Sequence, residues 1–143
     1  MAAVSISVEE IHQAADQLAT KPDRVSQILS RGLLDLSLDK KYQFVGSRLD
    51  DKLIGLCVYH IDEFVTIHII VKLTDDFYIG QTLLCKVFEE AKKLNKPVRL
   101  FNIGGDHAAK CYFKAALKAG YTVEVKNGWF TFRLIDRDEH LLH

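Results

Sequence analysis

The stretch from Phe64 to Asn95 constrains the fold of this chain more than any other. It reads FVTIHIIVK, then LTDDFYIGQT, then LLCKVFEEAKKLN. That is an apolar strand, a short turn around Gly80, and an amphipathic helix with Leu83, Leu84, Val87, Phe88, Ala91 and Leu94 on one stripe. In the strand, Ile67, Ile69 and Val71 alternate with His68 and Ile70, so both faces are apolar and helices should flank the sheet on each side. A loop that feeds a helix leaves about four N–H groups unpaired in the positive field of the helix dipole. Such a junction can hold a phosphate group. Asp75 and Asp76 stand in this turn, either as caps accepting the free helix N–H groups or turned to solvent while the amides bind an anion.

The flanking sequence supplies the other elements. Ala3 to Ile6 reads as a short strand, and Ser7 with Glu10 as a capping box ahead of Ile11, Ala14, Ala15 and Leu18. Pro22 is expected to open a second helix, with Val25, Ile28 and Leu29 inside and Gly32 at its end. Strand-like runs from Tyr42 to Leu49, Leu53 to Ile61 and Phe64 to Lys72 are split by Asp50–Asp51 and Asp62–Glu63, breaks that suit hairpins. Pro97 closes the central helix, and Val98 to Ile103 is another strand. Asp106 is expected to cap a helix whose Ala108, Tyr112, Ala115 and Ala119 share a face, with Gly120 at its C-terminus. Tyr121 to Val125 and Trp129 to Ile135 flank Asn127–Gly128, a strong hairpin signal. The predicted order is β-α-α-β-β-β-α-β-α-β-β. It makes one α/β (α+β) domain over residues 1–143, with a mixed, mostly antiparallel sheet of about seven strands, helices on both faces, and a ragged tail from about residue 136.

Composition narrows the partners. A chain of 143 residues with 48% hydrophobic content suits one core. Lys plus Arg and Asp plus Glu both number 19, so no net field draws the chain to nucleic acid or acidic lipid. Zero net charge mildly favours self-association, as in a homodimer. The apolar runs are too short to span a bilayer, and MAAVSISVEE lacks the features of a signal peptide, so a cytoplasmic location is expected. Cys57, Cys85 and Cys111, odd in number and within apolar segments, read as reduced, buried thiols.

The element order resembles the GCN5-related N-acetyltransferase (GNAT) superfamily from about Ala3 to Ile135, nearly the whole chain. The resemblance implies acyl transfer from acetyl-CoA to an amine of a small molecule or protein. In that family the fourth strand splays from the fifth and the gap admits the pantetheine arm. By the resemblance, Ile69, Ile70, Val71 and Lys72 offer backbone groups to pantetheine, and the amides of Asp76, Phe77, Tyr78, Ile79, Gly80, Gln81 and Thr82 meet the pyrophosphate of CoA. The family's turn, Q/R-x-x-G-x-G/A two residues before paired aliphatics, aligns with Asp75 to Gly80 ahead of Leu83–Leu84. Gly80 matches, Asp75 replaces the Gln or Arg, and Tyr78 replaces the middle glycine. A strand amide near Ile70 would stabilise the oxyanion. His68 would be the general base and Tyr112 the acid, although Ala116 occupies the family's tyrosine position and Tyr112 lies one turn earlier.

Each candidate also has a plainer reading. His68 reads as a core histidine bonded to a carbonyl, and Tyr112 as a ring packed under the sheet with its hydroxyl at the edge. His60, on the preceding strand, is a weaker candidate for a base. Cys85 and Cys111 lack the basic neighbour a nucleophile needs. His140 and His143 have helical spacing but lie in the ragged tail, and no metal is expected. The loop from Asn102 to His107, with Gly104–Gly105, either lines a site at the strand end or only makes a tight turn. Function stays open between the acyltransferase and a catalytically silent module of the same fold that docks on a protein partner as a binding, regulatory or structural component. A synthase taking its acyl group from an acyl-carrier protein is a third reading, for which a basic docking surface is missing.

Overall fold

The computed structural model describes residues 2–75, 79–101 and 105–135. β1 (Ala2–Ser5) leads into α1 (Val8–Ala19) and α2 (Arg24–Ser37). A meander of β2 (Tyr42–Leu49), β3 (Lys52–Ile61) and β4 (Val65–Lys72) follows, then α3 (Ile79–Leu94), β5 (Val98–Phe101), α4 (Gly105–Lys118), β6 (Tyr121–Lys126) and β7 (Trp129–Leu134). The seven strands form one sheet in the order β1-β2-β3-β4-β5-β7-β6. β4 and β5 are parallel, and the other neighbours are antiparallel. This is the mixed, mostly antiparallel α/β (α+β) architecture that the sequence predicts.

Local chemistry explains the turns. At α1 the Glu10 N–H donates to Ser7 Oγ at 3.2 Å, and the Ser7 N–H donates to Glu10 Oε1 at 3.1 Å, which completes the capping box. Asp50 and Asp51 have φ of 50° and 63°, and Asn127 and Gly128 of 52° and 82°. Positive φ at both central residues matches the twist of the flanking strands, so both pairs make tight hairpins. Asn95, at φ 55° just after α3, and Gly120, at φ 86° just after α4, end their helices in the left-handed region.

Two apolar cores sandwich the sheet. Ile11, Ala14, Ala15 and Leu18 of α1 and Leu33 of α2 cover Leu56, Val58, Ile69 and Val71 on one face. Leu83, Leu84, Val87, Phe88 and Ala91 of α3, with Ala115 and Ala116 of α4, cover Cys57, Tyr59, Val65, Ile67, Phe130 and Phe132 on the other. Leu94, expected on the α3 stripe, is half exposed at the helix end.

α2 departs from its predicted form. Asp23, not Pro22, sets its start, accepting from the Ser26 N–H at 2.9 Å. Val25 and Ile28 are 60% and 59% exposed, whereas Ser26, Ser30 and Leu33 are buried. The inner face is chosen by small residues with satisfied hydroxyls, because α2 lies close against Ala14 and Ala15 of α1. Ser30 Oγ donates to the Ala15 carbonyl at 2.7 Å. Gly32 is mid-helix rather than terminal, and a Cβ there would lie 3.2 Å from Ile69 Cδ1, so the glycine permits close packing on β4. α4 begins at Gly105, which puts Asp106 inside the first turn rather than at the cap.

Candidate functional site

β4 carries the irregularity that builds the site. Its register with β3 pairs Tyr59 with Ile67 and Val58 with Ile69, leaving His68 as the extra residue of a β-bulge. Val65 and Ile67 therefore face the α3/α4 core, while Ile69 and Val71 face the α1/α2 core. His68 belongs to neither core and is exposed, which corrects its reading as a buried histidine bonded to a carbonyl.

The bulge sits where the sheet forks. β4 and β5 pair only at Val65–Val98, Thr66–Arg99 and Ile67–Leu100, and β5 ends at Phe101 while β4 continues to Lys72. Beyond Ile67, the β4 groups that point away from β3 have no β5 partner among the described residues. The side chains of Ile69 and Val71 are buried, so these residues, with Ile70 and Lys72, offer backbone to the fork. α3 starts at Ile79, one residue before Gly80, so Gly80, Gln81 and Thr82 lie in its first turn rather than in the preceding loop. The first-turn amides of Ile79 and Gly80 have no intrahelical acceptor, and nothing lies within 4 Å of where a Gly80 Cβ would stand.

A β4 end with no β5 partner among the described residues, beside a helix that carries Gly80 in its first turn, suits a pantetheine diphosphate such as CoA. Asp75 is exposed with no hydrogen bond among the described residues, so it is not a cap of α3. Asp76, Phe77 and Tyr78 lie outside the described residues, as do Asn102 to Gly104 and the predicted tail with His140 and His143. The described residues hold no cluster suited to a metal ion.

His68 is the end of a hydrogen-bonded chain. His60 Nδ1 lies 2.6 Å from His68 Nε2, with the rings stacked at 4.8 Å between centroids, and His60 Nε2 lies 3.1 Å from Asp62 Oδ2. Tyr42 sets its ring edge-on against both imidazoles, at 5.8 and 5.1 Å. The Phe64 N–H and then the His60 imidazole hold the Asp62 carboxyl below its usual value, which keeps it ionised. An ionised Asp62 accepts from His60 Nε2–H, so His60 Nδ1 carries the lone pair. His68 must then donate through Nε2–H, which leaves its Nδ1 free to accept a proton. Partial burial, followed by the nearby His60, Lys41 and Arg99, pushes the His68 pKa below its ordinary 6.5.

Tyr112 is elsewhere. It packs with the α3/α4 core, its ring 6.4 Å from that of Phe130, whereas the histidines occupy the opposite sheet face. Burial raises its pKa, and its hydroxyl has no hydrogen bond among the described residues. The packing reading holds for this side chain, and the structure does not bring it together with His68. The three cysteines are free, Cys57 fully buried and Cys85 and Cys111 half-buried. Burial raises the pKa of Cys57 and of Cys85, so neither is primed as a nucleophile. Sequence reasoning missed Asp62 as a partner of His60, and Arg99 near His68.

No family model and no curated protein sequence matches the chain. Solved structures do. An aminoglycoside 6'-acetyltransferase of type Ii superposes with a TM-score of 0.66 at 16% identity, covering 96% of this chain and 99% of that one. The PaiA N-acetyltransferase of Thermoplasma acidophilum, solved in complex with coenzyme A, gives 0.59 at 17% identity over 93% and 98%. A transcriptional regulator from Bacillus halodurans gives 0.60 at 13% identity over 87% and 95%. The chain has the GNAT fold.

Proposed function

We propose that this protein is an N-acyltransferase that moves an acetyl or acyl group from acyl-CoA to an amine. The observation that carries the reading is the Asp62–His60–His68 chain ending on a bulge residue where β4 and β5 part. Bound acetyl-CoA supplies an activated thioester. Ile69 to Lys72 would hold its pantetheine arm through backbone groups, and the first turn of α3 from Ile79 would meet the diphosphate. His68 Nδ1 would take a proton from the acceptor ammonium, freeing the nitrogen lone pair for attack on the thioester carbonyl; the C–S bond then breaks, and the departing thiolate takes up the proton that His68 releases. His60 and Asp62 fix the tautomer and stabilise the imidazolium that forms. His60 lies on β3, Tyr42 on β2 and Arg99 on β5, and Lys41 immediately precedes β2, so every element bordering the imidazole contributes a polar or charged group.

Calorimetric titration of acetyl-CoA at low salt, then thiol release with a panel of primary amines, tests the reading. Saturable micromolar heat is expected, with an acid limb of kcat/KM below pH 6.5. His68→Gln should lower kcat by about 10²–10⁴-fold and remove that limb, with the acetyl-CoA titration unchanged. Asp62→Asn should cost less and move the limb lower still, because an anion that favours the imidazolium is gone. A second reading rests on Asp75, an exposed carboxylate ahead of α3 where an anion would bind. A flat titration at millimolar acetyl-CoA would favour it, making the protein a silent GNAT-fold module that docks on a protein partner.

A further inference from the structure

α1 and α2 cover only part of their face of the sheet. On that face, β5 and β7 present Arg99, Phe101, Trp129, Thr131 and Arg133, the cross-strand pairs being Arg99–Thr131 and Phe101–Trp129. No described helix packs there, and Phe101 and Trp129 are 49% and 42% exposed. Phe101 and Trp129 stack edge to face at 5.4 Å. The Arg99 guanidinium lies 4.6 Å from the Phe64 ring centroid and 5.7 Å from that of Trp129, and Arg133 lies 5.9 Å from the Phe64 ring. Two cations thus share one aromatic wall.

Neither arginine has a carboxylate within ion-pair distance among the described residues. Arg99 spends its Nε–H on Thr66 Oγ1 at 2.9 Å, and its terminal nitrogens have no hydrogen bond among the described residues. Two acidic groups lie nearest in the ladder. Asp62 is engaged by His60, Phe64 N–H and the Arg99 field, and Glu124 lies across from Thr131 on the edge strand β6 beside Lys126. Arg99 is also close enough to His68 to depress its pKa. Thr66, bonded to Arg99, pairs with His60 across the hairpin. The base and the arginines therefore occupy one continuous surface.

We infer that this surface is the acceptor subsite, and that the acceptor is an amine carrying a carboxylate or phosphate at its other end, with a planar or apolar body between. The inference rests on the acyltransferase reading for the role of the amine. The amine approaches His68, the body lies against Phe64, Phe101 and Trp129, and the anion bridges Arg99 and Arg133. A polycationic acceptor such as an aminoglycoside meets two guanidinium groups that have no carboxylate partner among the described residues, and is disfavoured.

Trp129 is the sole tryptophan of the chain, so intrinsic fluorescence reports this surface whether or not turnover occurs. The probes are 4-(2-aminoethyl)benzoate and 2-phenylethylamine, which share the amine, spacer and ring and differ in the distal carboxylate. Trp129 emission should saturate with the benzoate at a Kd about tenfold or more below that of phenylethylamine, the ratio set by one charge-assisted contact. Arg133→Gln, at an exposed β7 position, and independently Arg99→Gln should erase the difference, each variant's melting curve showing that it folds. A 2-aminoethyl phosphate and ethanolamine pair distinguishes phosphate from carboxylate as the preferred anion.

Equal responses to the benzoate and phenylethylamine, no response to either, or a preference that survives both substitutions overturns the inference. So does a dimer in sedimentation whose formation changes Trp129 emission and excludes the amines, because a second copy then covers the face. Acetyl-CoA-dependent thiol release separates the two readings. Preference in binding without release from either amine leaves the anion subsite standing and defeats the acyltransferase reading. Release without preference does the reverse.

Discussion

Gly55 on β3 connects the stability of the sheet to the position of α3. A Cβ at this position would collide with Ile79 Cγ2, and would lie 3.1 Å from the Val71 carbonyl oxygen and 3.5 Å from Leu83 Cδ1. Ile79 is fully buried and is the first residue of α3, so it has little room to yield. Gly55→Ala must push Ile79 off its rotamer or move the first helical turn. Overpacking of this kind costs about 1–3 kcal/mol, and the stiffer unfolded chain returns only about 0.4–1 kcal/mol of that. The net loss of about 1–2 kcal/mol corresponds to a fall in Tm of roughly 3–8 °C for a chain of this size. Urea unfolding followed by Trp129 fluorescence measures it, with m unchanged. Ile79→Leu removes the offending Cγ2 branch at constant volume, so the double variant should recover about 1 kcal/mol beyond additivity. Acetyl-CoA affinity should fall in Gly55→Ala and return in the double variant, because the same turn presents the amides. Stability within about 0.5 kcal/mol of the parent, or strict additivity, would refute the contact as the device that sets α3.

Three further outcomes follow from named groups. The Arg48 guanidinium, aided by the Ser7 N–H, lowers the Glu10 pKa from 4.5 to about 2, so the contribution of Glu10 is complete above pH 4.5 and disappears as pH falls through about 2. Glu10→Gln should therefore cost about 1 kcal/mol near neutrality, with the gap closing in acid, as chemical denaturation across a pH series would show. Ser47 Oγ is buried with no hydrogen-bond partner among the described residues. Ser47→Ala should raise stability by about 1 kcal/mol, and a loss in urea unfolding would mean that the hydroxyl has a partner. Tyr112→Phe should leave kcat and its pH profile unchanged, because the hydroxyl is remote from His68; a tenfold fall in kcat would reinstate it as an acid.

Much of this fold is legible in the chain. Ser7 with Glu10, Asn127–Gly128 and the two-faced apolarity of β4 each act through local physics, and each appears where the residues place it. The inner face of α2 is not legible, because hydropathy favours Val25 and Ile28 while close packing on α1 selects Ser26 and Ser30. The bulge is hidden for a different reason. A period of two does not reveal which residue is surplus, and only the pairing with β3 assigns that place to His68. His60 and His68 do flank the predicted Asp62–Glu63 hairpin, which is a usable signal that they meet. In the observed register His60 is matched with Thr66, and His68 follows two residues later to meet the His60 ring. Arg99 and Arg133 converge through strands distant in sequence, which no local pattern encodes.

The bulge has a consequence for how such a protein can change over time. From Val65 to Val71, each residue of β4 except His68 is wholly or partly buried. The extra residue answers to neither core, so the identity of its side chain is free of the packing that holds its neighbours. The base proposed at this position can be lost or regained by one substitution without disturbing the architecture. Gly55, farther along the same sheet opposite Lys72, has no such latitude. Turnover and foldedness are thus separately heritable in this scaffold, and a catalytic descendant and a silent one can differ at a single codon.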